Sequence, residues 1–119
     1  GRVAHPADDG GYELCVYGPG GPRVAGAQAL DGALLALRRD VLARVDFDSD
    51  TYDGFHLYDI DFSSRAARAG CAVGIAADLG LLHHSSGRFD AEYKRYARRF
   101  LAQHPALPLG PPAQAPAYA

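Results

Sequence analysis

Phe55-His56-Leu57-Tyr58-Asp59-Ile60-Asp61-Phe62-Ser63-Ser64-Arg65-Ala66-Ala67-Arg68-Ala69-Gly70 is the stretch around which the rest of the chain can be organised. Its composition predicts a helix from about Asp59 to Ala69. Asp59 and Asp61 fall where a helix N-terminus favours negative charge, a stabilisation of roughly 0.3–1 kcal/mol per carboxylate. Gly70 stands in the usual C-terminal stop position. The two acids have a structural reading, capping and dipole compensation, and a chemical one, in which one carboxylate is a general base directed into a cleft. A base must lie within hydrogen-bond reach of the proton it removes, and spacing alone does not choose between the two.

Downstream, Cys71–Ala76 and Leu81-Leu82-His83 read as strands. His83-His84 closes the second, and adjacent strand residues point to opposite faces, so at most one of them shares a site with Asp59. A lone strand histidine is commonly a hydrogen-bonded structural residue. The strand end, the Ser85-Ser86-Gly87 loop and the acidic helix start make a metal-ligand role the sharper reading. The last helix is the plainest element: Tyr93, Tyr96, Ala97, Phe100 and Leu101 form one apolar stripe, with Asp90 placed as its cap. Beyond His104, Pro and Ala dominate, and a disordered or polyproline-like tail is expected.

Upstream lies the most acidic segment, Asp46-Phe47-Asp48-Ser49-Asp50-Thr51-Tyr52-Asp53-Gly54, expected as a loop. Acids spaced D-x-D can grip Mg²⁺ or Mn²⁺ on a diphosphate, yet most acidic loops are merely solvated. A calcium loop beginning at Asp46 needs Gly sixth and Glu twelfth, where Thr51 and Leu57 stand, which argues against an EF-hand. Asp40–Val45 has the size of a short helix opened by an acidic cap, and Ala33–Leu37 is a buried-looking apolar run. Arg23–Leu30 is weakly extended, Gly18–Pro22 is a breaker, and Tyr12–Tyr17 alternates as a short strand. Residues 1–11 read as a loop or loose terminus.

A chain of 119 residues, 48% of them hydrophobic, is one domain's worth with a modest core. A net charge of −2 without a basic stripe argues against nucleic acid as a partner. Arg88, Lys94, Arg95, Arg98 and Arg99 read first as a solvated helix face; a donor diphosphate or an acidic lipid surface is the other reading. No apolar run approaches the ~20 residues of a membrane span. Cys15 and Cys71 are expected as free, small buried apolar residues in strands, which fits a reducing, cytoplasmic setting, and a Cys15–Cys71 disulfide is the weaker reading. The chain has no methionine, so a piece of something longer is expected. Strands and helices in this order give a small α/β or α+β layer whose open sheet edges point to a missing half or to self-association.

Taken together and in order, these segments resemble the second half of family 2-type GT-A glycosyltransferases. Leu30-Asp31-Gly32-Ala33-Leu34-Leu35-Ala36-Leu37-Arg38-Arg39-Asp40-Val41-Leu42 resembles the start of that half, where a small-residue turn leads into a strand, an Arg-acid pair and a short helix. Val45-Asp46-Phe47-Asp48 is similar to the family's Gly-Phe-Asp loop. Phe55–Gly70 is similar to its acidic helix, and Leu81-Leu82-His83-His84-Ser85-Ser86-Gly87 to its closing strand. The family usually has Glu where Tyr58 stands; a related branch carries Tyr-Asp-Ile-Asp.

The resemblance implies an α/β fold, a partial GT-A-type (Rossmann-like) sheet with two or three helices, lacking the N-terminal nucleotide-binding half. It divides the chain into a lead-in over 1–28, a half-domain over 29–104 and the tail over 105–119. It implies inverting transfer from a nucleotide-diphosphate sugar to a hydroxyl of a sugar, lipid or polysaccharide acceptor. Asp59 takes the position of the catalytic base, Asp31 and Gly32 lie where the chain passes close to donor and acceptor, and His83, with His84 as the fallback, takes that of the ligand to a divalent cation (Mg or Mn). Asp61 and Arg65 look like structural helix residues. Residues 1–28 are too short for the nucleotide-binding strands and the metal-binding D-x-D, so the chain alone is expected to be inactive. Any membrane association, at the inner face, would come through segments outside it. The competing reading is a non-catalytic binding or assembly module, with Asp46–Asp53 binding Ca²⁺ or a basic partner and the Tyr93/Tyr96/Phe100 stripe docking a neighbour.

Overall fold

The computed structural model describes residues 2–16, 23–85 and 87–105. Its elements are β1 (Arg2–Pro6), β2 (Tyr12–Val16), β3 (Arg23–Ala25), α1 (Arg39–Leu42), α2 (Tyr58–Arg68), β4 (Gly74–Ala76), β5 (Gly80–Leu82) and α3 (Ala91–Gln103). The result is a mixed α/β structure with two small sheets and three helices. The Gly18–Pro22 breaker and the tail beyond Pro105 lie outside the described residues.

The first sheet has the order β2-β1-β5, with β1 antiparallel to β2 and parallel to β5. β1 lies where composition predicts a loop. The overlooked signal is Asp8-Asp9-Gly10-Gly11, a hairpin turn: Gly10 takes φ 84, and Gly11 N–H donates to Asp9 Oδ1 at 2.9 Å. The ladder aligns Leu14 with Ala4 and Ala4 with Leu82. His83 N–H continues it onto Ala4 O at 2.9 Å, so the predicted Leu81–His83 strand is displaced by one residue. On one face of β2, Tyr12, Leu14 and Val16 are 54%, 60% and 60% exposed, an open apolar stripe.

The second sheet pairs β3 antiparallel to β4, which is shorter than the predicted Cys71–Ala76. Just before it, Val73 O accepts the N–H groups of Gly26 and Ala27. Ala33–Leu37 forms no strand, contrary to the resemblance, and Leu34 and Leu37 are exposed. A strand needs a ladder partner, and none of the described strands pairs with this run. The first helix is also shorter than expected, and Asp40 does not cap it. The cap is Arg38, whose guanidinium holds the Asp40 carboxylate instead at 2.9 and 3.2 Å.

The helices carry the core. Tyr52, Leu57 and Tyr96 are buried together, and Ile60, Tyr93, Ala97 and Phe100 pack on them. Tyr93, Tyr96, Ala97 and Phe100 thus form the predicted stripe, while Leu101 is 51% exposed. Asp90 caps α3 as predicted, accepting the N–H groups of Glu92 and Tyr93 at 3.0 Å each. Gly70, at φ 79, ends α2. Gly54 has a different reason to be glycine, because a Cβ there would overlap the Tyr96 hydroxyl. Cys15 and Cys71 are free thiols, each partly buried.

Candidate functional site

The N-terminus of α2 is built on a strained residue. Leu57 has φ 66 and ψ 2, left-handed geometry that disfavours a side chain by roughly 1–2 kcal/mol. The side chain is buried against Tyr52 and Tyr96, which holds the backbone there. The sharp bend lets α2 begin at Tyr58 and places Asp59 in its first turn, 7% exposed. Asp59 Oδ2 accepts the backbone N–H of Gly32 and Oδ1 that of Ile60, both at 2.9 Å. An ionised carboxylate has about four acceptor positions, so these bonds leave room for a further donor.

Ser63, one turn on, fixes the same crossing. Its hydroxyl donates to Asp59 O at 2.7 Å and accepts Leu30 N–H at 2.8 Å. The Leu30–Gly32 segment is therefore stitched to α2 at both ends. Asp31 lies between these bonds with its carboxyl beside that of Asp59. Partial burial, then the charge of Asp59 and a hydrogen bond with it, hold the Asp31 carboxyl above its usual range, while His83 acts in the opposite direction. Asp31 and Gly32 thus share one neighbourhood with Asp59, 27 residues further along the chain from Gly32.

His83 and His84 point to opposite sides, as alternation requires. His83 is half-buried, edge-on to the His5 ring with centroids 5.3 Å apart. His84 is exposed, and its ring tilts toward that of Tyr12 with centroids 6.4 Å apart. His5 Nδ1 donates to Ser85 O at 2.5 Å, tying β1 to the loop after β5. Among the described residues, no group of three or more His, Cys, Asp or Glu side chains is placed to hold a metal ion. His83 and the two acids therefore do not make a metal cage by themselves.

The acidic loop has structural work. Asp48 accepts the Thr51 N–H at 3.0 Å and the Gln103 side-chain amide at 3.2 Å, and the Thr51 bonds hold its carboxyl below the usual range. Asp53 accepts from the Tyr96 hydroxyl at 2.7 Å and Arg99 at 3.1 Å. Phe47 stacks on Phe62 with centroids 4.2 Å apart, and Arg65 donates to Asp46 O at 2.8 Å. These contacts fasten the loop to α2 and α3. Asp61 is a structural anchor, 1% exposed, gripped by Arg65 at 2.7 Å and by His104 Nε2 at 2.8 Å. His5, Ser63 and His104 escape sequence reading because their partners are distant in the chain.

The basic cluster also divides. Arg99 engages Asp53 and Thr51 O, Arg95 engages Glu92, and both guanidinium groups lie over the Tyr96 ring at 5.2 and 4.8 Å. No described helix is long and apolar enough to cross a membrane. A family model described as "Glycosyltransferase like family" matches residues 1–104 of the chain. No curated protein and no solved structure matches it significantly.

Proposed function

We propose, from the premise that the chain belongs to this glycosyltransferase-like family, that it is the acceptor-side part of an inverting, nucleotide-sugar-dependent glycosyltransferase with a GT-A-type fold. Asp59 is the general base: it removes the proton from the acceptor hydroxyl, whose oxygen attacks the anomeric carbon of the donor sugar as the nucleoside diphosphate leaves. The observation that carries this reading is the Asp59 carboxylate, held by two backbone N–H groups beside Asp31 with acceptor capacity to spare. Asp31 and Gly32 line the same site. His83 is the residue this chain offers to a divalent cation, and the other ligands would come from the donor diphosphate and a nucleotide-binding half.

The open stripe of Tyr12, Leu14 and Val16 supports the view that such a half packs on this sheet. The alternative module with a calcium-binding loop is the weaker reading, since Asp48 and Asp53 are already engaged by Thr51, Gln103, Tyr96 and Arg99. The test is Asp59→Asn in the complete enzyme. Sugar transfer should fall by roughly 10²–10⁴-fold, the usual contribution of a general base, with donor binding retained. Transfer at near-normal rate would remove Asp59 from the role.

A further inference from the structure

The cleft at the ends of β1 and β5 is not used by the chemistry above. β1 and β5 run parallel, and Pro6 closes the first while His84 and Ser85 follow the second. The space beyond the carboxyl ends of parallel strands is where open α/β sheets bind ligands. Here it is a cleft of about 450 Å³ lined by Pro6, Phe55, His84, Ser85, Gly87 and Arg88. The His5–Ser85 hydrogen bond secures one wall.

Its lining has a specific chemistry. Phe55 is 67% exposed, an aromatic face that this fold leaves in water. Such a face suits the apolar C–H face of a pyranose ring. Gly87, at φ 76, brings a bare backbone to the wall. Arg88 has no ion pair among the described residues. The acid that feels its charge, Asp90, is committed to capping α3. Arg88 therefore stands apart from Arg95 and Arg99, which the fold consumes. A guanidinium presents a planar fork that matches carboxylate or phosphate.

We propose that this cleft binds a negatively charged sugar residue of the acceptor, with Phe55 under the ring, Arg88 on its carboxylate or phosphate, and His84 and Ser85 toward its hydroxyls. The inference rests on the glycosyltransferase reading and names the acceptor class for it. It is tested on the 119-residue chain by NMR titration with glucuronic acid, glucose 6-phosphate, neutral glucose and uridine diphosphate. The expected result is that one or both charged sugars perturb Phe55, Ser85 and Gly87 at lower concentration than glucose does, and which of them does so identifies carboxylate or phosphate. Arg88→Gln should weaken the charged sugar by roughly ten-fold and leave glucose unchanged, the scale of one charge-assisted hydrogen bond. Arg88→Lys should recover part of the loss, and Phe55→Ala should weaken charged and neutral sugars alike.

Equal binding of charged and neutral sugars, no response to Arg88→Gln, or a response at these residues to uridine diphosphate alone would overturn the proposal. Those outcomes leave the glycosyltransferase reading standing, because it depends on Asp59→Asn in the complete enzyme, and a normal rate in that variant would remove it separately.

Discussion

Asp59 Oδ2 accepts the backbone N–H of Gly32 at 2.9 Å, joining residues 27 apart in sequence. The bond does two things at once. It satisfies an amide in an irregular segment, and it holds the carboxylate in the first turn of α2 beside Asp31. The two roles separate by mutation. Asp59→Asn keeps an oxygen for the Gly32 amide, whereas Asp59→Ala leaves that amide without its partner, at a cost of about 1–3 kcal/mol. Urea unfolding should therefore show Asp59→Ala clearly less stable than Asp59→Asn, and the Gly32 amide should exchange faster in the alanine variant alone. Equal stability would mean that the bond contributes little to the fold.

Asp61 shares a helix with Asp59 but serves another purpose. Its carboxylate lies between Arg65 and His104, with both Asp61 and His104 side chains 1% exposed. Removing one partner of a buried ion pair strands the other, a loss of about 3–5 kcal/mol. Asp61→Ala should cause a loss of that size in chemical denaturation. His104→Ala should cost less, because Arg65 still holds the carboxylate.

Tyr52 supplies a pH dependence. Burial, then the charges of Asp61 and Asp48, push its phenol up to about 12. Because the folded state holds this proton more tightly than the unfolded chain does, the contribution to stability is complete below pH 10 and is lost as pH rises toward 12. At 1.36 kcal/mol per unit the loss amounts to about 2–3 kcal/mol. The wild-type chain should lose stability over this range more steeply than Tyr52→Phe. Parallel slopes in the two proteins would contradict the burial of this hydroxyl.

Leu57 predicts an inverted ranking. At φ 66 an alanine keeps the backbone strain and loses the buried side chain, whereas glycine loses the side chain and relieves the strain. Leu57→Ala should be about 1 kcal/mol less stable than Leu57→Gly, measured by thermal or urea unfolding. The usual order, alanine above glycine, would show that this residue does not occupy the left-handed region.

The α2 and α3 helices, their stop at Gly70 and cap at Asp90, and the apolar stripe of α3 are legible in sequence because each depends on residues within a turn or two of one another. The hairpin before β2 is a miss of the sequence reading, because overall polarity points to a loop and outweighs the turn signal at Asp9-Gly10. The Ala33–Leu37 run misleads for the opposite reason: local hydrophobicity cannot say whether a strand partner exists. Leu57 is opaque too, since leucine has no local reason to adopt positive φ, and only its burial with Tyr52 and Tyr96 holds it there.

The site divides in the same way. Family resemblance named Asp31, Gly32, Asp59, His83 and His84 as candidates, and period-two alternation implies that His83 and His84 face opposite ways. Tertiary structure decided that Gly32 donates to Asp59, that Ser63 binds Leu30, that Asp61 belongs to His104, and that Arg88, unlike Arg95 and Arg99, has no ion pair among the described residues. Helix and strand patterns repeat every few residues and are written in local sequence. A hydrogen bond across 27, 33 or 43 residues exists only once the chain has closed on itself, and such bonds set which carboxylate is an anchor and which is left with capacity to react.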